Sequence, residues 1–202
     1  MKFYMISICF FVYLTLHGQE NFTKKDFFFN GKNFKNWIEP SNNIWWIINK
    51  EGHLVAKSDP DQKGSTLWSS QKFRDFVIKL DFKMGQGTVD SGVFIRGENP
   101  QNPQIQIGIS GSLKRDMTAS PYVPKQGYHV EALKNHPDLL LKNVWNTLEV
   151  RAEKNRYQTW LNGVKVLDYL LENANLEGPI GLQLHPKREM SINFKNIYLK
   201  EL

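Results

Sequence analysis

Wherever this chain shows a clear pattern, apolar and polar positions alternate with period two, which predicts β-strands. In FRDFVIKLDFKM, Phe76, Ile78, Leu80 and Phe82 stand against Val77, Lys79, Asp81 and Lys83. In IQIGI, Ile105, Ile107 and Ile109 oppose Gln106 and Gly108. NTLEVRA reads as a strand, and RYQTWL and VKVLDY flank Asn162-Gly163 as a hairpin. Asn-Gly suits a type I′ turn, where both central residues need positive φ. GPIGLQLHP places Ile180, Leu182 and Leu184 on one face and Gly181, Gln183 and His185 on the other. SINFKNIYLKEL closes the chain as a further strand.

Roughly a dozen such segments are predicted, at near-regular spacing, which implies an all-β antiparallel sandwich or barrel. EALKNHPDLLLK supports a helical turn or two around Pro137 and nothing longer. Six tryptophans and thirteen phenylalanines can fill the space between two sheets. The exception is Ser110 to Lys142, rich in Gly, Ser, Pro and Lys and without period two. A loop of that length in a compact domain is functional or disordered.

With 202 residues the chain can build one sizeable core. Residues 1–19, MKFYMISICFFVYLTLHGQ, carry one lysine, a nearly unbroken apolar run and a polar exit. They read as a secretory signal peptide cleaved near Gly18 or Gln19, with an uncleaved N-terminal anchor as the alternative. Residues 20–202 then form a single domain, periplasmic or extracellular, without a stable membrane anchor. Cys9, the only cysteine, lies in the leader, so the mature chain has neither disulfide nor thiolate ligand. The net charge is +6, or +5 without Lys2, and the basic residues are scattered among acids. That distribution argues for a solvated surface rather than a nucleic-acid stripe.

Three strands carry polar groups at alternate positions: Asp90, Gly92, Phe94 and Arg96; Gln104, Gln106, Gly108 and Ser110; Gly181, Gln183 and His185. Amide and guanidinium groups thinned by glycine suit sugar hydroxyls. A sandwich face that is polar because water wets it accounts for the same pattern, and the pattern alone favours that plainer account. Among the histidines there is no HxH or HExxH spacing to suggest a metal site. No GxSxG elbow, phosphate loop or dinucleotide fingerprint occurs. An ExDxE strand, as paired-carboxylate glycosidases use, is also missing, and Gln104 and Gln106 stand where paired acids would be sought.

From about Phe27 to Leu202 the chain resembles the family once called DUF1080, now the 3-keto-disaccharide hydrolase domain. The residues that carry the resemblance are FNGKNFKNW, Trp46 with Glu51-Gly52, DSGVFIRG, QIQIGISGSLKRDMTASPY, VWN, TWLNGVKVLDY, GPIGLQLHP and FKNIYLKEL, in that order. The resemblance implies a concanavalin-like jelly roll. It also implies an exported protein that cleaves glycosides oxidised at C3, with a non-catalytic carbohydrate-binding module as the alternative. A C3 ketone acidifies the C2 hydrogen, so one base of moderate pKa and donors for an oxyanion suffice. On this reading His185 is the base, with a carboxylate as the competing candidate, and Arg96 stabilises the enolate. Asp116 and Tyr122 close over the sugar or move a proton, and Gln104, Gln106, Asn146 and Gln183 hold hydroxyls. The family commonly has a carboxylate where this chain has Gln104. A divalent ion is compatible with such a sandwich, with no ligand set evident for it, and oligomeric state is left open.

Overall fold

The computed structural model describes residues 20–98 and 101–202. The expected signal peptide lies outside them. Fourteen strands and one short 3-10 turn at Lys24–Asp26 make up the described regular structure. Thr23 caps that turn by a reciprocal capping box with Asp26.

Two seven-stranded sheets form, with every paired strand antiparallel. The first runs β1 (Trp37–Ile38), β4 (Ser65–Phe73), β13 (Gly178–Leu184), β6 (Asp90–Phe94), β7 (Gln104–Gly108), β8 (Pro121–Val123), β9 (Gly127–Tyr128). The second runs β12 (Val164–Leu170), β11 (Arg156–Leu161), β10 (Asn146–Glu153), β5 (Phe76–Gly87), β14 (Met190–Glu201), β3 (Leu54–Lys57), β2 (Trp46–Ile48). The all-β antiparallel fold expected from the alternation forms as two sheets, and it is the jelly roll that the resemblance implies.

The core is where the two inward faces meet. Phe76, Ile78, Leu80 and Phe82 of β5, with Ile192 and Phe194 of β14, face Leu67, Val93, Ile105, Ile107, Ile180 and Leu182. These are the alternate residues that the pattern assigns to the core, and burying them is the main stabilising contribution. The Asn162-Gly163 turn has φ of 48° and 87°, the positive pair that a type I′ hairpin requires.

Two segments differ from expectation. Ser110 to Lys142 is not wholly irregular, because β8 and β9 lie within it and extend the first sheet beyond β7. Strands of two or three residues are too short to show a period. EALKNHPDLLLK forms turns without a helical span, as Pro137 interrupts it.

Candidate functional site

The strands β13, β6 and β7 are neighbours, so their outward side chains share one patch of sheet. Register places Gln183 beside Gly92 and Gly92 beside Gln106. All five residues of β6 and all five of β7 are buried. A strand with one face in water would alternate, so the outward face here is also sheltered. The turns around Ser110–Ser112, Tyr122–Tyr128 and His185–Arg188 rise around it and wall a cavity of about 610 Å³. That volume falls within the range of small-ligand sites.

Asp90 is at its centre, 3% exposed. Its Oδ1 accepts from Gln106 Nε2 at 2.9 Å. Its Oδ2 has no hydrogen-bond partner, yet lies 3.4 Å from Arg188 Nε and 4.0 Å from His185 Nε2. Gly111 makes this approach possible, because a Cβ there would come within 2.9 Å of Arg188 Nη2 and 3.1 Å of Asp90 Oδ2. His185 Nδ1 is 2.6 Å from the Pro186 carbonyl oxygen. A carbonyl can only accept, so Nδ1 carries the proton and the neutral ring keeps its lone pair on Nε2. That nitrogen is the one turned toward Asp90.

Gln104 Nε2 donates to Gln183 Oε1 at 2.6 Å, joining β7 to β13 across Gly92. Gly92 is obligatory there, since a Cβ would stand 2.7 Å from the Ile105 carbonyl oxygen and 2.8 Å from Gln104 Cγ. On the far wall Tyr122 and Tyr128 have ring centroids 5.1 Å apart. Burial pushes the Tyr128 phenol up to about 12, so it is a protonated donor at neutral pH.

Five sequence-predicted residues therefore line one cavity: Gln104, Gln106, Tyr122, Gln183 and His185. Three do not. Arg96 is 1% exposed and is fully committed elsewhere. Its Nε donates to the Arg74 carbonyl (2.6 Å), its Nη1 to the Lys154 carbonyl (2.7 Å), and its Nη2 to Asp75 Oδ1 (3.1 Å). Strand β6 ends at Phe94, and Arg96 has a φ of 61°, so extrapolating period two assigns it to the wrong face. Asn146 belongs to β10 in the opposite sheet. Its Oδ1 accepts from Leu141 N and Asn162 Nδ2, and its Nδ2 donates to the Leu141 carbonyl, each at 2.8 Å. These bonds tie a loop to the hairpin turn and leave the amide nothing for a ligand. Asp116 lies off the cavity lining, with Oδ1 accepting from Thr118 N at 2.8 Å. Glu131, in the same loop, pairs with Arg115 at 2.8 Å.

Arg188 and Tyr128 line the cavity without having been singled out by sequence, and Asp90, which was placed on the polar face but given no role, lines it too. Asp90 had a usable signal, as it shares the alternation of Gly92 and Phe94. Arg188 and Tyr128 had none, because both come from irregular or very short segments. Among the described residues no three His, Cys, Asp or Glu side chains converge on a point that could hold a metal ion. Asp90 and His185 supply two such donors. No described helix is long and apolar enough to cross a membrane.

Comparison with known proteins adds a family and a fold. A family model described as 3-keto-alpha-glucoside-1,2-lyase-like domain matches residues 25–200. No curated protein matches the sequence. Among solved structures, a proposed glycosyl hydrolase from Parabacteroides distasonis is 21% identical, with a TM-score of 0.65 over 87% of this chain and 98% of that one. A carbohydrate-binding module from Bacillus subtilis is 18% identical, with a TM-score of 0.54 over 84% and 98%. A beta-1,3-glucanase from Mycobacterium marinum is 9% identical, with a TM-score of 0.53 over 77% of each chain. At these identities the structural likenesses establish the jelly roll and nothing finer.

Proposed function

Because the chain belongs to the 3-keto-alpha-glucoside-1,2-lyase-like family, we propose that it is an exported, carbohydrate-active protein that cleaves glycosides carrying a ketone at C3. His185 Nε2 takes the proton from C2, and the C–H electron pair forms an enolate onto the C3 oxygen. The enolate collapses to restore the ketone, a C1–C2 double bond forms, and the C1–O bond breaks. The leaving alkoxide takes up the proton that His185 removed from C2, which returns the imidazole to its neutral form. Water then adds across the double bond, oxygen to C1 and hydrogen to C2, which completes a net hydrolysis.

The observation that carries this reading is the pairing of His185 and Asp90. The Pro186 carbonyl sets the tautomer that leaves Nε2 basic, and a buried carboxylate 4.0 Å away stabilises the imidazolium once Nε2 is protonated. Arg188 takes the role first given to Arg96. It lines the cavity, its Nε pairs with Asp90 at 3.4 Å, and the remaining donors of its planar guanidinium can reach an enolate oxygen. Gln104, Gln106, Gln183 and the Tyr122 and Tyr128 hydroxyls hold sugar hydroxyls.

A second reading is a carbohydrate-binding module using the same hollow, and Gln104 in place of the family's usual carboxylate favours it. Incubation with a 3-keto-glucoside and assay of the released group separates the two. Release that depends on His185 supports the lyase, whereas calorimetric binding of the sugar without release supports the module.

A further inference from the structure

The reaction scheme leaves one part of the same sheet face unused. Strand register aligns a continuous outward row: Trp68 on β4, Gly181 on β13, Phe94 on β6, Gln104 on β7 and Tyr122 on β8. Gln104, Tyr122 and Phe94 belong to the polar cavity. Trp68 continues the row past its edge, with the exposed Ile38 of β1 paired beside it.

Trp68 packs closely over Gly181. A Cβ on Gly181 would come within 2.5 Å of indole Cζ3 and 2.7 Å of Cε3, so only glycine leaves room there for the six-membered ring of the indole. Its centroid is 5.3 Å from that of Phe94, with 31° between the planes. Trp68 is half-buried, so part of the indole stays open to solvent. Tryptophan is costly to leave wet, and burying its exposed part against an apolar surface is favourable. The axial C–H face of a pyranose is such a surface, and its equatorial hydroxyls stay in water.

We propose that the Trp68–Phe94 shelf is the leaving-group subsite, where the ring attached at C1 stacks while the oxidised ring occupies the polar hollow. This rests on the cleavage reading given above. The argument for a sugar ring as occupant is continuity: Phe94 belongs both to the hollow and to the shelf, so a ring joined at C1 has the indole as its next surface. Trp68 thus sets preference for a cyclic leaving group, and Gly181 is the residue that leaves room for the indole.

The test compares a 3-keto-disaccharide with methyl 3-keto-glucoside, using the secreted protein and its Trp68→Ala and Trp68→Phe variants. Wild-type protein should prefer the disaccharide in kcat/KM. Trp68→Ala should reduce that preference by roughly tenfold, mostly through KM, and Trp68→Phe should restore part of it. An unchanged ratio in Trp68→Ala, in protein whose Tm and circular dichroism match wild type, overturns the shelf and leaves the reaction standing. If wild-type protein cleaves neither substrate, the reaction reading fails instead. The shelf is then judged by calorimetric binding of the disaccharide, where equal affinities in wild type and Trp68→Ala overturn it.

Discussion

Asp90 and Arg96 begin and nearly end the same short segment, and their surroundings assign them opposite work. Asp90 has an oxygen without a hydrogen bond, facing an imidazole and a guanidinium in a cavity. The Arg188 guanidinium already offsets part of the cost of this buried carboxylate, and the charge that His185 gains on taking a proton offsets more. His185→Ala should therefore slow release from a 3-keto-glucoside by about 10²–10⁴-fold, and Asp90→Asn should do so by a smaller factor. Steady-state rates with folded variants check both, and full activity in His185→Ala would remove the base. Arg96 instead bridges the Arg74 and Lys154 carbonyls and Asp75, with its guanidinium carbon 5.9 Å from the Phe76 ring centroid and 5.7 Å from that of Tyr157. Arg96→Ala strands these groups and should cost about 3–5 kcal/mol in urea unfolding. The activity of the molecules that remain folded should be close to wild type.

At the scale of elements, the site depends on how closely β6 and β7 approach. Gly92→Ala adds a methyl where the Ile105 carbonyl and Gln104 side chain already stand. It should break the Gln104–Gln183 bridge and weaken sugar binding by tenfold or more, roughly the loss expected for one displaced polar contact to a ligand. Calorimetry with a non-reactive glycoside reads this directly. Much of β6, β7 and β13 was legible in the sequence, because one buried face imposes period two on every residue, and the alternate polar set then follows. The limits of that logic are physical. A count of two cannot see that β6 stops at Phe94 and that Arg96 turns left-handed. It cannot see that Asn146 belongs to the other sheet, since which strands pair is a long-range matter. Nor can it find Tyr128 or Arg188, which reach the cavity from a two-residue strand and a turn.

The whole molecule carries two carboxylates, one exposed and one buried, whose titrations pull stability in opposite directions. Asp168 is held well below the usual carboxylate range, first by Arg156 and then by Lys165 and Gln158, so its contribution is present at neutral pH and lost as the solution is acidified. Glu149 runs the other way. It is 1% exposed on β10, one oxygen accepts from the Glu20 backbone N–H at 3.2 Å, and the other has no partner. Burial raises its pKa above the ordinary glutamate value of 4.5. A carboxyl with a raised folded-state pKa favours the fold fully below its unfolded value, and that contribution fades as pH rises through the folded value. At neutral pH the folded chain thus carries a cost that acid removes. Glu149→Gln keeps an acceptor for Glu20 and abolishes the charge. It should raise Tm at pH 7 by roughly 2–4 °C, the shift that about 1 kcal/mol gives a domain of this size. The advantage should shrink toward zero near pH 4, where wild-type Glu149 is itself neutral. Melting curves of both proteins from pH 4 to 8 decide it. A variant less stable than wild type at pH 7 would mean that the Glu149 carboxylate is matched in the folded chain by a positive charge, with Arg151 and Lys79 the nearest sources.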